Sequence, residues 1–329
     1  METWSVRLSE ELARLAPVKV IALRGREDGR PPSPFKLLLF PFTFARQFLS
    51  RRRAGAILHL GDMALWPLGL LAAPRSRLVI SAHGTDVSYP KRGGWRGKAY
   101  GAYLRLGARL LPQALVIANS AATQSAAAEA GWKDSRIVPL GTNMIGHVPN
   151  GAPDRHLLFA GRLIPLKGLS WFVREVLPLL PDDITLNVAG PQTDPAESAA
   201  LDHPRVRYLG ILDQNALGNA CRDALCVVAP NIVPANGTFE GFGLVATEAA
   251  AAGGIVIAAR CGGLPSALAN GDAGLLVEPG DAEAWKAAIS DVAEWDLARR
   301  AAFIANALAT IERGYRWPSV AKATLAAYR

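Results

Sequence analysis

The segment from residue 239 to residue 249 decides the fold of this chain of 329 residues. It reads Phe239-Glu240-Gly241-Phe242-Gly243-Leu244-Val245-Ala246-Thr247-Glu248-Ala249. Two carboxylates stand eight positions apart, with a Gly-Phe-Gly turn between them and an Ala-rich, helix-like stretch under the second. Apolar runs of strand length lie before and after the segment, at residues 225–230 and 254–258. This order of strand, loop, helix and strand predicts a parallel α/β sheet with a ligand at its carboxyl edge.

The chemistry of this segment fits recognition of a sugar nucleotide. Gly241 and Gly243 carry no side chain, so backbone N–H groups can approach a ligand there. The following helix points its positive N-terminal end at the same place, which favours phosphate. Glu240 can accept hydrogen bonds from hydroxyls, and Glu248 can bind a vicinal diol such as ribose, because a carboxylate offers two acceptor oxygens. Two solvent-exposed helix acids are the alternative reading, since this spacing is common by chance.

A basic pair follows the predicted strand at residues 156–160. Arg162 and Lys167 stand five positions apart on the loop after this strand. They can hold a diphosphate between them, because Arg offers a planar fork and Lys a point charge. A solvent-exposed pair is the alternative, since basic loops are common.

A histidine ends the buried strand predicted at residues 77–82. The chain continues His83-Gly84-Thr85-Asp86, at the carboxyl edge where α/β folds bind ligands. A histidine there can hydrogen-bond a sugar hydroxyl or stabilise charge as a leaving group departs. A helix-capping or loop-packing histidine is the alternative.

These motifs together closely resemble the retaining glycosyltransferases of family 4, which have the GT-B fold. The signature of that family is Glu, seven residues and Glu around a Phe-Gly-Leu core, followed by a strand and a Gly-Gly pair. The chain carries it as Glu240, Phe242-Gly243-Leu244, Glu248 and Gly262-Gly263. The resemblance covers nearly all of the C-terminal half and, more weakly, the N-terminal half. It implies an α/β protein of two facing Rossmann-like domains, with the donor bound mainly to the second.

The resemblance also implies roles for single residues. The Gly-Arg and Lys-Gly spacing is the pyrophosphate clamp of the family, and the histidine faces the donor sugar across the cleft. The implied catalytic residues are His83, Glu240, Arg162 and Lys167. The implied donor-binding residues are Arg162, Lys167, Glu240, Gly241, Phe242, Gly243, Leu244 and Glu248. Asp86 and Gly84 are placed on the acceptor side.

The implied activity is that of an EC 2.4 glycosyltransferase. It moves a sugar from a nucleotide-diphosphate sugar to an acceptor hydroxyl with retention, in cell-envelope polysaccharide or glycolipid synthesis. We expect no metal and no cofactor: no Asp-x-Asp triplet occurs, which disfavours the metal-clamped transferases, and no Gly-x-Gly-x-x-Gly follows a strand, which disfavours a dehydrogenase. Two alternatives stay open. One is a GT-B nucleotide-sugar epimerase, and the other is a catalytically inactive or truncated nucleotide-sugar-binding protein.

The expected domains are residues 1–148, residues 149–314, and a C-terminal helix over residues 315–329 that crosses back to the first domain. A doubly wound domain normally opens with a strand and a Gly-rich turn. Here a helix predicted over residues 3–16 comes first, followed by a short strand at residues 18–23. We therefore expect that the first domain lacks its opening strand and turn, and that Met1 is an internal methionine. A natural variant without that strand is the alternative.

Charge is divided unevenly between the two halves. Residues 1–150 hold 21 Lys and Arg against 9 Asp and Glu, a net charge of +12, and residues 151–329 hold 15 against 19, a net charge of −4. The first half is therefore expected to meet something anionic. Zinc spacings, RNA-binding signatures and basic tails do not occur, so nucleic acid is not an expected partner. An anionic membrane surface or a lipid-linked acceptor fits better; a merely basic exposed surface is the alternative.

The stretch of residues 35–53 is the candidate for membrane contact. Its aromatic body and its basic end, Arg51-Arg52-Arg53, suit a bilayer surface, although a core stripe is the alternative and Pro41 is expected to interrupt any long helix. No run of about 18 apolar residues occurs, so no spanning helix is expected. Three cysteines without metal-like or disulfide-like spacing fit the core of a reduced protein. The expected location is the cytoplasm, with peripheral attachment to the inner face of the cell membrane.

Overall fold

The computed structural model describes residues 2–22, 33–49, 55–72 and 76–329, and these residues form two parallel sheets. The first sheet has the order β1 (Ile57–Leu60), β2 (Arg77–Ala82), β3 (Leu115–Ala118), β4 (Ser135–Ile137). The second has the order β10 (Leu275–Val277), β9 (Val256–Ala259), β8 (Cys226–Ala229), β5 (His156–Ala160), β6 (Thr185–Ala189), β7 (Val206–Gly210). Both are covered by helices, so the predicted α/β class with two Rossmann-like units is confirmed.

The helices connect and cover these strands. In the first half they are α1 (Glu2–Leu15), α2 (Pro34–Leu49), a 3₁₀ helix over residues 63–71, α3 (Thr85–Ser88), α4 (Gly94–Leu110) and α5 (Ala121–Glu129). In the second half they are α6 (Leu169–Trp171), α7 (Pro195–Ser198), α8 (Gln214–Asp223), α9 (Leu244–Ala252), α10 (Leu264–Ala267), α11 (Ala282–Glu294), α12 (Leu297–Gly314) and α13 (Trp317–Ala327).

The strand order of the second sheet places the candidate site. From β5 the chain first adds β6 and β7 on one side, and it then returns to add β8, β9 and β10 on the other side. This is the order of a doubly wound dinucleotide-binding fold. Ligands of such sheets bind at the carboxyl ends of the strands where the order reverses. The loop after β5 carries Arg162 and Lys167, and the loop after β8 carries Glu240 and Gly241. Both loops therefore leave the sheet at its switch point.

The first sheet is packed on both faces. Leu78 and Ile80 of β2 point to the core under α2, the 3₁₀ helix of residues 63–71, α4 and α5. Val79 points to the opposite face, where α1 and α13 pack against each other. The last helix of the chain thus covers the sheet of the first half. The domain boundaries at residues 148 and 314 stay a prediction.

Two local predictions were wrong. Residues 18–22 form no strand; Val18 and Val20 are exposed and pair with nothing in the described part of the chain. Pro41 does not interrupt α2, because its ring lies on the exposed side of the helix, where the missing N–H costs least. The basic end Arg51-Arg52-Arg53 of the candidate membrane stretch lies outside the described residues.

His59 ties the last helix to the first sheet. Its Nδ1 lies 2.6 Å from the hydroxyl of Tyr328, and its Nε2 lies 2.8 Å from Oγ of Ser81. Burial is the main cause that lowers the pKa of His59 to about 4. The imidazole is therefore neutral at pH 7 and acts as a structural hydrogen-bonding group.

We expect His59 to make the folded state sensitive to acid. Its pKa is about 4 when folded and near 6.5 when unfolded, so the unfolded chain binds more protons between these values. The neutral His59 therefore stabilises the folded state fully above pH 6.5. As the pH falls from 6.5 through 4, the free energy of unfolding drops by about 3 kcal/mol on account of this residue. Asp86 opposes it: burial raises the pKa of that carboxyl to about 6, so protonating Asp86 stabilises the folded state over the same range.

The measurement is therefore a difference between variants. Free energies of unfolding of wild type and His59→Gln are compared from pH 7 to pH 4, where the variant should gain on wild type by about 3 kcal/mol. His147→Gln is the matched control, because His147 is exposed, and it should run parallel to wild type. A constant difference between His59→Gln and wild type at every pH would rule out the buried neutral imidazole.

Candidate functional site

A buried ion pair joins the two loops at the switch point. Nζ of Lys167 lies 2.6 Å from Oε2 of Glu240, and both side chains are largely shielded from solvent. The loop after β5 reaches this position by turning at Gly168, which has φ +72°. A Cβ at Gly168 would lie 2.1 Å from the carbonyl oxygen of Pro230, so only glycine lets the two loops pack this closely. The structure therefore brings together two of the predicted catalytic residues.

The N-terminus of α9 opens into the same crevice. Gly243 precedes the helix with φ +95° and offers no side chain to cap it. The first N–H groups of a helix have no partner within the helix, and they carry its positive dipole end. Lys167, Asn231, Gly243 and Val245 line a narrow crevice of about 10 Å³ there, whose other walls are apolar side chains such as Phe159, Val228 and Leu264. An ammonium group thus lies beside the start of a helix, and the dipole of that helix end favours phosphate oxygens at its mouth.

The Gly262-Gly263 pair supports this loop from below. The N–H of Gly263 donates to the carbonyl of Glu240 at 2.7 Å, and a Cβ there would lie 2.3 Å from the carbonyl oxygen of Gly241. Phe242 is buried and packs 6.4 Å from the ring of Tyr315. Its ring belongs to the core and does not line the crevice, while Leu244 is exposed at the first turn of α9.

Glu248 lies on α9, half-buried beside α8. Burial raises the pKa of this carboxyl above its ordinary value. Its carboxylate has no hydrogen-bond or ion-pair partner among the residues that the structure describes. A desolvated and unpaired carboxylate is costly to keep, which is typical of a group reserved for a ligand.

Arg162 is the exposed member of the basic pair. Within the described residues its guanidinium makes neither an ion pair nor a hydrogen bond to another side chain, unlike the ammonium of Lys167. It stands on the same loop, five residues before Lys167, and its side chain extends into solvent.

His83 is held in a fixed orientation at the end of β2. Its Nε2 lies 3.0 Å from the carbonyl oxygen of Gly61, so the ring donates from Nε2 and carries its lone pair on Nδ1. The ring stands edge-on to Trp4, with centroids 4.4 Å apart. Burial is the main cause that lowers the pKa of His83. The site thus holds a neutral imidazole that can accept a hydrogen bond from a hydroxyl.

Asp86 serves the loop that carries His83. Its Oδ1 accepts from the N–H of His83 at 2.9 Å and from the N–H of Val87 at 3.0 Å. Its Oδ2 lies 3.4 Å from the N–H of Met63. These bonds occupy the carboxylate, so in this structure Asp86 shapes the turn after β2. Its predicted place on the acceptor side stays a prediction.

The two halves touch at Gly84 and Gly241. A Cβ on Gly84 would lie 2.3 Å from Cα of Gly241, and one on Gly241 would lie 2.3 Å from the carbonyl oxygen of His83. The hydroxyl of Ser120 donates to the carbonyl of Gly241 at 2.6 Å, and that of Thr123 does so at 3.2 Å. Gly241 was predicted to bind the donor, and its contact with Ser120 was not predicted.

Replacing Gly84 by Ala is expected to push the two halves apart. Gly84 has φ +95°, and the added methyl group has no room against Gly241. We expect a larger radius of gyration in solution scattering and a lower melting temperature. Gly93→Ala is the matched control, because Gly93 has φ +75° but nothing within 4 Å of an added Cβ. The free energy of unfolding of the control should fall by only roughly 1 kcal/mol, because alanine is less favourable than glycine at a positive φ. Equal effects of both variants would show that the halves do not depend on this contact.

The site as a whole lies between the two halves. The second half supplies the ion pair of Lys167 with Glu240, the open end of α9 and the unpaired Glu248; the first half supplies His83. Among the described residues, no three metal-ligating side chains come together. Within the same residues, no helix is both long enough and apolar enough to cross a bilayer.

Comparison with known proteins agrees with this architecture. The sequence profile described as "Glycosyl transferases group 1" matches residues 154–294, and that described as "Glycosyltransferase Family 4" matches residues 1–144. A D-inositol 3-phosphate glycosyltransferase of Mycobacteroides abscessus is 36% identical over 185 residues, covering 54% of this chain and 40% of that protein. The protein of that name from a Nocardioides species is 33% identical over 195 residues, covering 53% and 41%. The chain thus spans about two fifths of the length of these curated relatives.

Solved structures show the same fold. Anabaena HepE, determined in complex with UDP and glucose, has a TM-score of 0.67 at 21% identity, covering 89% of this chain and 82% of its own. Sucrose-phosphate synthase from Thermosynechococcus elongatus has a TM-score of 0.72 at 21% identity, covering 99% and 92%.

Two parallel α/β sheets, each covered by helices, together with the likeness to these solved structures, define the GT-B class of proteins. Within that class, the chain belongs to glycosyltransferase family 4.

Proposed function

We propose that the chain transfers a sugar from a nucleoside-diphosphate sugar to an acceptor hydroxyl, with retention of the anomeric configuration and without a metal ion. One observation carries the proposal: Lys167, fixed by its ion pair with Glu240, lies beside the uncapped N-terminus of α9 at the switch point of the second sheet. An ammonium group and the N–H groups at a helix N-terminus bind a diphosphate well, and the diphosphate is the group that carries the sugar in such a substrate.

The positive groups act on the leaving diphosphate. Negative charge grows on the bridging oxygen as the bond to the sugar breaks, and donors that are already in place stabilise it without reorganisation. Lys167 is fixed by its ion pair with Glu240, and the N–H groups at the start of α9 are fixed by the backbone. Arg162, exposed and unpaired among the described residues, is free to close over the diphosphate from solvent. These groups fill the role that a divalent cation has in other transferases.

The carboxylates orient the donor in this proposal. Glu248 accepts hydrogen bonds from the two ribose hydroxyls, which explains why a desolvated carboxylate is kept without a protein partner. Glu240 has one oxygen on Lys167 and keeps the other for a sugar hydroxyl. His83, neutral and held through Nε2, presents Nδ1 as an acceptor on the opposite wall of the cleft.

The acceptor is proposed to be a polysaccharide or lipid-linked intermediate of the cell envelope. Support comes from the net charge of +12 in residues 1–150, which suits a phosphate-bearing acceptor or an anionic surface beside the cleft. Peripheral attachment to the inner face of the membrane follows from the same argument.

Product stereochemistry tests the transfer. The protein is incubated with a nucleoside-diphosphate sugar and a panel of hydroxyl acceptors, and the anomeric proton coupling of the product is followed from the first turnovers. A product with the donor's configuration is expected, together with released nucleoside diphosphate. An inverted product would contradict retention. Conversion of the donor sugar without an acceptor would identify an epimerase, and binding without turnover would identify an inactive protein.

A further inference from the structure

Helix α4 is packed with its small residues inward. Its buried positions include Gly97, Gly101 and Gly107, and the large buried side chain among them is Leu104. A Cβ on Gly107 would lie 2.7 Å from the ring of Trp66, so the helix backbone itself rests on the core. Surface helices normally bury large apolar residues and expose polar ones. In α4 Leu104 is buried and the cations are exposed as usual, but glycines take most of the buried positions, and Trp95, Leu106 and Leu110 are exposed as well.

The outer side of α4 forms one apolar stripe with flanking cations. At 3.6 residues per turn, Trp95, Ala99, Ala102 and Leu106 lie on the same side. The exposed fraction of Trp95 is 75%, and Leu106 and Leu110 are about half exposed. Lys98, Arg105 and Arg109 border this stripe. An apolar centre with a basic margin is the pattern of helices that lie in the plane of a bilayer surface.

Helix α2 and the 3₁₀ helix of residues 63–71 extend this surface. Both pack on the same face of the first sheet as α4, where Phe44 of α2 is buried beside Trp66. On their outer side, the exposed fractions of Phe42 and Phe35 are 72% and 69%, and Leu70 is more than half exposed. We call the outer sides of α2, α4 and this 3₁₀ helix the docking face.

The docking face has a charge of one sign. Its three helices contain six Lys and Arg residues and no Asp or Glu. At its end lies a cavity of about 420 Å³ with a floor that includes Ala108 and Trp132, bordered by Arg105, Arg109 and Lys133 and by Glu129, whose carboxylate is paired with Lys91. None of these three cations has an acidic partner among the described residues. Part of their positive charge is balanced by the C-terminal ends of α4 and α5, because the helix dipole is negative there.

We propose that the docking face binds the surface of an anionic phospholipid bilayer, with one lipid phosphate seated between Arg105, Arg109 and Lys133. The aliphatic side chains Leu70, Leu106 and Leu110 in the apolar centre distinguish this face from a duplex nucleic-acid site, which needs only the cations. The absence of acids on the three helices distinguishes it from the mixed-charge rim of a protein interface. Binding of the docking face to a bilayer requires no donor, no acceptor and no sugar transfer.

Vesicle binding without any donor or acceptor tests the proposal. The whole chain is sedimented with vesicles of phosphatidylcholine, or of phosphatidylcholine mixed with an equal amount of phosphatidylglycerol. Binding to the anionic vesicles is expected, weakening as salt rises. Arg105→Gln with Arg109→Gln should lower it by roughly tenfold to thirtyfold, from about fivefold for each cation at an anionic surface. Trp95→Ser should lower binding through the apolar contact.

The matched control removes two positive charges elsewhere. Arg174 and Arg299 are exposed residues of the second half, and Arg174→Gln with Arg299→Gln gives the same net charge as the double variant of α4. The control should bind like wild type, and unchanged melting temperatures should show that all variants are folded. If both double variants lost vesicle binding equally, the proposal would be overturned, because net charge alone would then explain the binding. No binding to anionic vesicles, or binding only to an RNA competitor, would overturn it as well.

Discussion

Lys167→Ala is expected to slow sugar transfer by about 10²–10³-fold, the typical cost of removing one fixed group that stabilises charge in a transition state. Its ammonium lies in the crevice and is held 2.6 Å from Glu240, so it is already in place when the diphosphate leaves. Since this interaction is stronger in the transition state than with the bound donor, the loss should appear mainly in kcat.

Two further variants separate this role from simple loss of the ion pair. Lys286→Ala removes an exposed lysine that pairs with Glu283 on α11, and it should transfer at the wild-type rate. In a Glu240→Gln background, Lys167→Ala should still lower kcat, because the ammonium acts on the diphosphate and not only on the carboxylate. If Lys167→Ala has no effect in that background, the lysine only positions Glu240, and its place on the diphosphate is wrong.

Glu248→Gln is expected to weaken nucleoside-diphosphate binding by roughly 10–100-fold, the range for losing hydrogen bonds to a charged group. The free protein should not become less stable. Glu248 is partly desolvated and unpaired among the described residues, and burial raises the pKa of its carboxyl, so the charge costs stability in the absence of a ligand. An amide of the same shape removes that cost. Affinity and stability therefore move in opposite directions.

Calorimetric titration with nucleoside diphosphates and thermal unfolding of the free protein measure the two effects. Glu294→Gln is the matched control, since Glu294 is an exposed acid at the end of α11, and both quantities should stay at wild-type values. Binding should also weaken as the pH falls, beginning at a higher pH than an ordinary glutamate would give, because the raised pKa protonates Glu248 earlier. Unaltered affinity in Glu248→Gln would remove this residue from the ribose site.

Much of the fold was predictable because its signals are local. Apolar runs such as residues 156–160 and 225–230 are buried strands, and Ser120 and Asp281 cap the helices that they precede. Pro41 misled the prediction, because its effect depends on which side of the helix faces solvent, and that is decided by packing on a distant core. The predicted strand at residues 18–23 had the right composition but, as far as residue 22, found no neighbouring strand to pair with.

The sequence predicted which loops form the candidate site, but it did not predict which residues of these loops contact each other. The spacing of Arg162 and Lys167 indicates a phosphate clamp, but only the fold places Lys167 on Glu240. The contact between Gly84 and Gly241 joins residues far apart in the chain, and no local pattern encodes it. Likewise, the bonds that Asp86 makes to the backbone follow from the shape of its turn and not from the residue type.

Thermal unfolding in the presence of UDP-, GDP-, ADP- and CMP-sugars shows whether the protein binds a sugar nucleotide at all. A ligand at 100 times its dissociation constant adds about 2.7 kcal/mol, which raises the melting temperature by several degrees. We expect the sugars of one nucleotide to stabilise the protein, with the shift lost in Glu248→Gln but kept in Glu294→Gln. No shift with any nucleotide sugar would contradict this expectation.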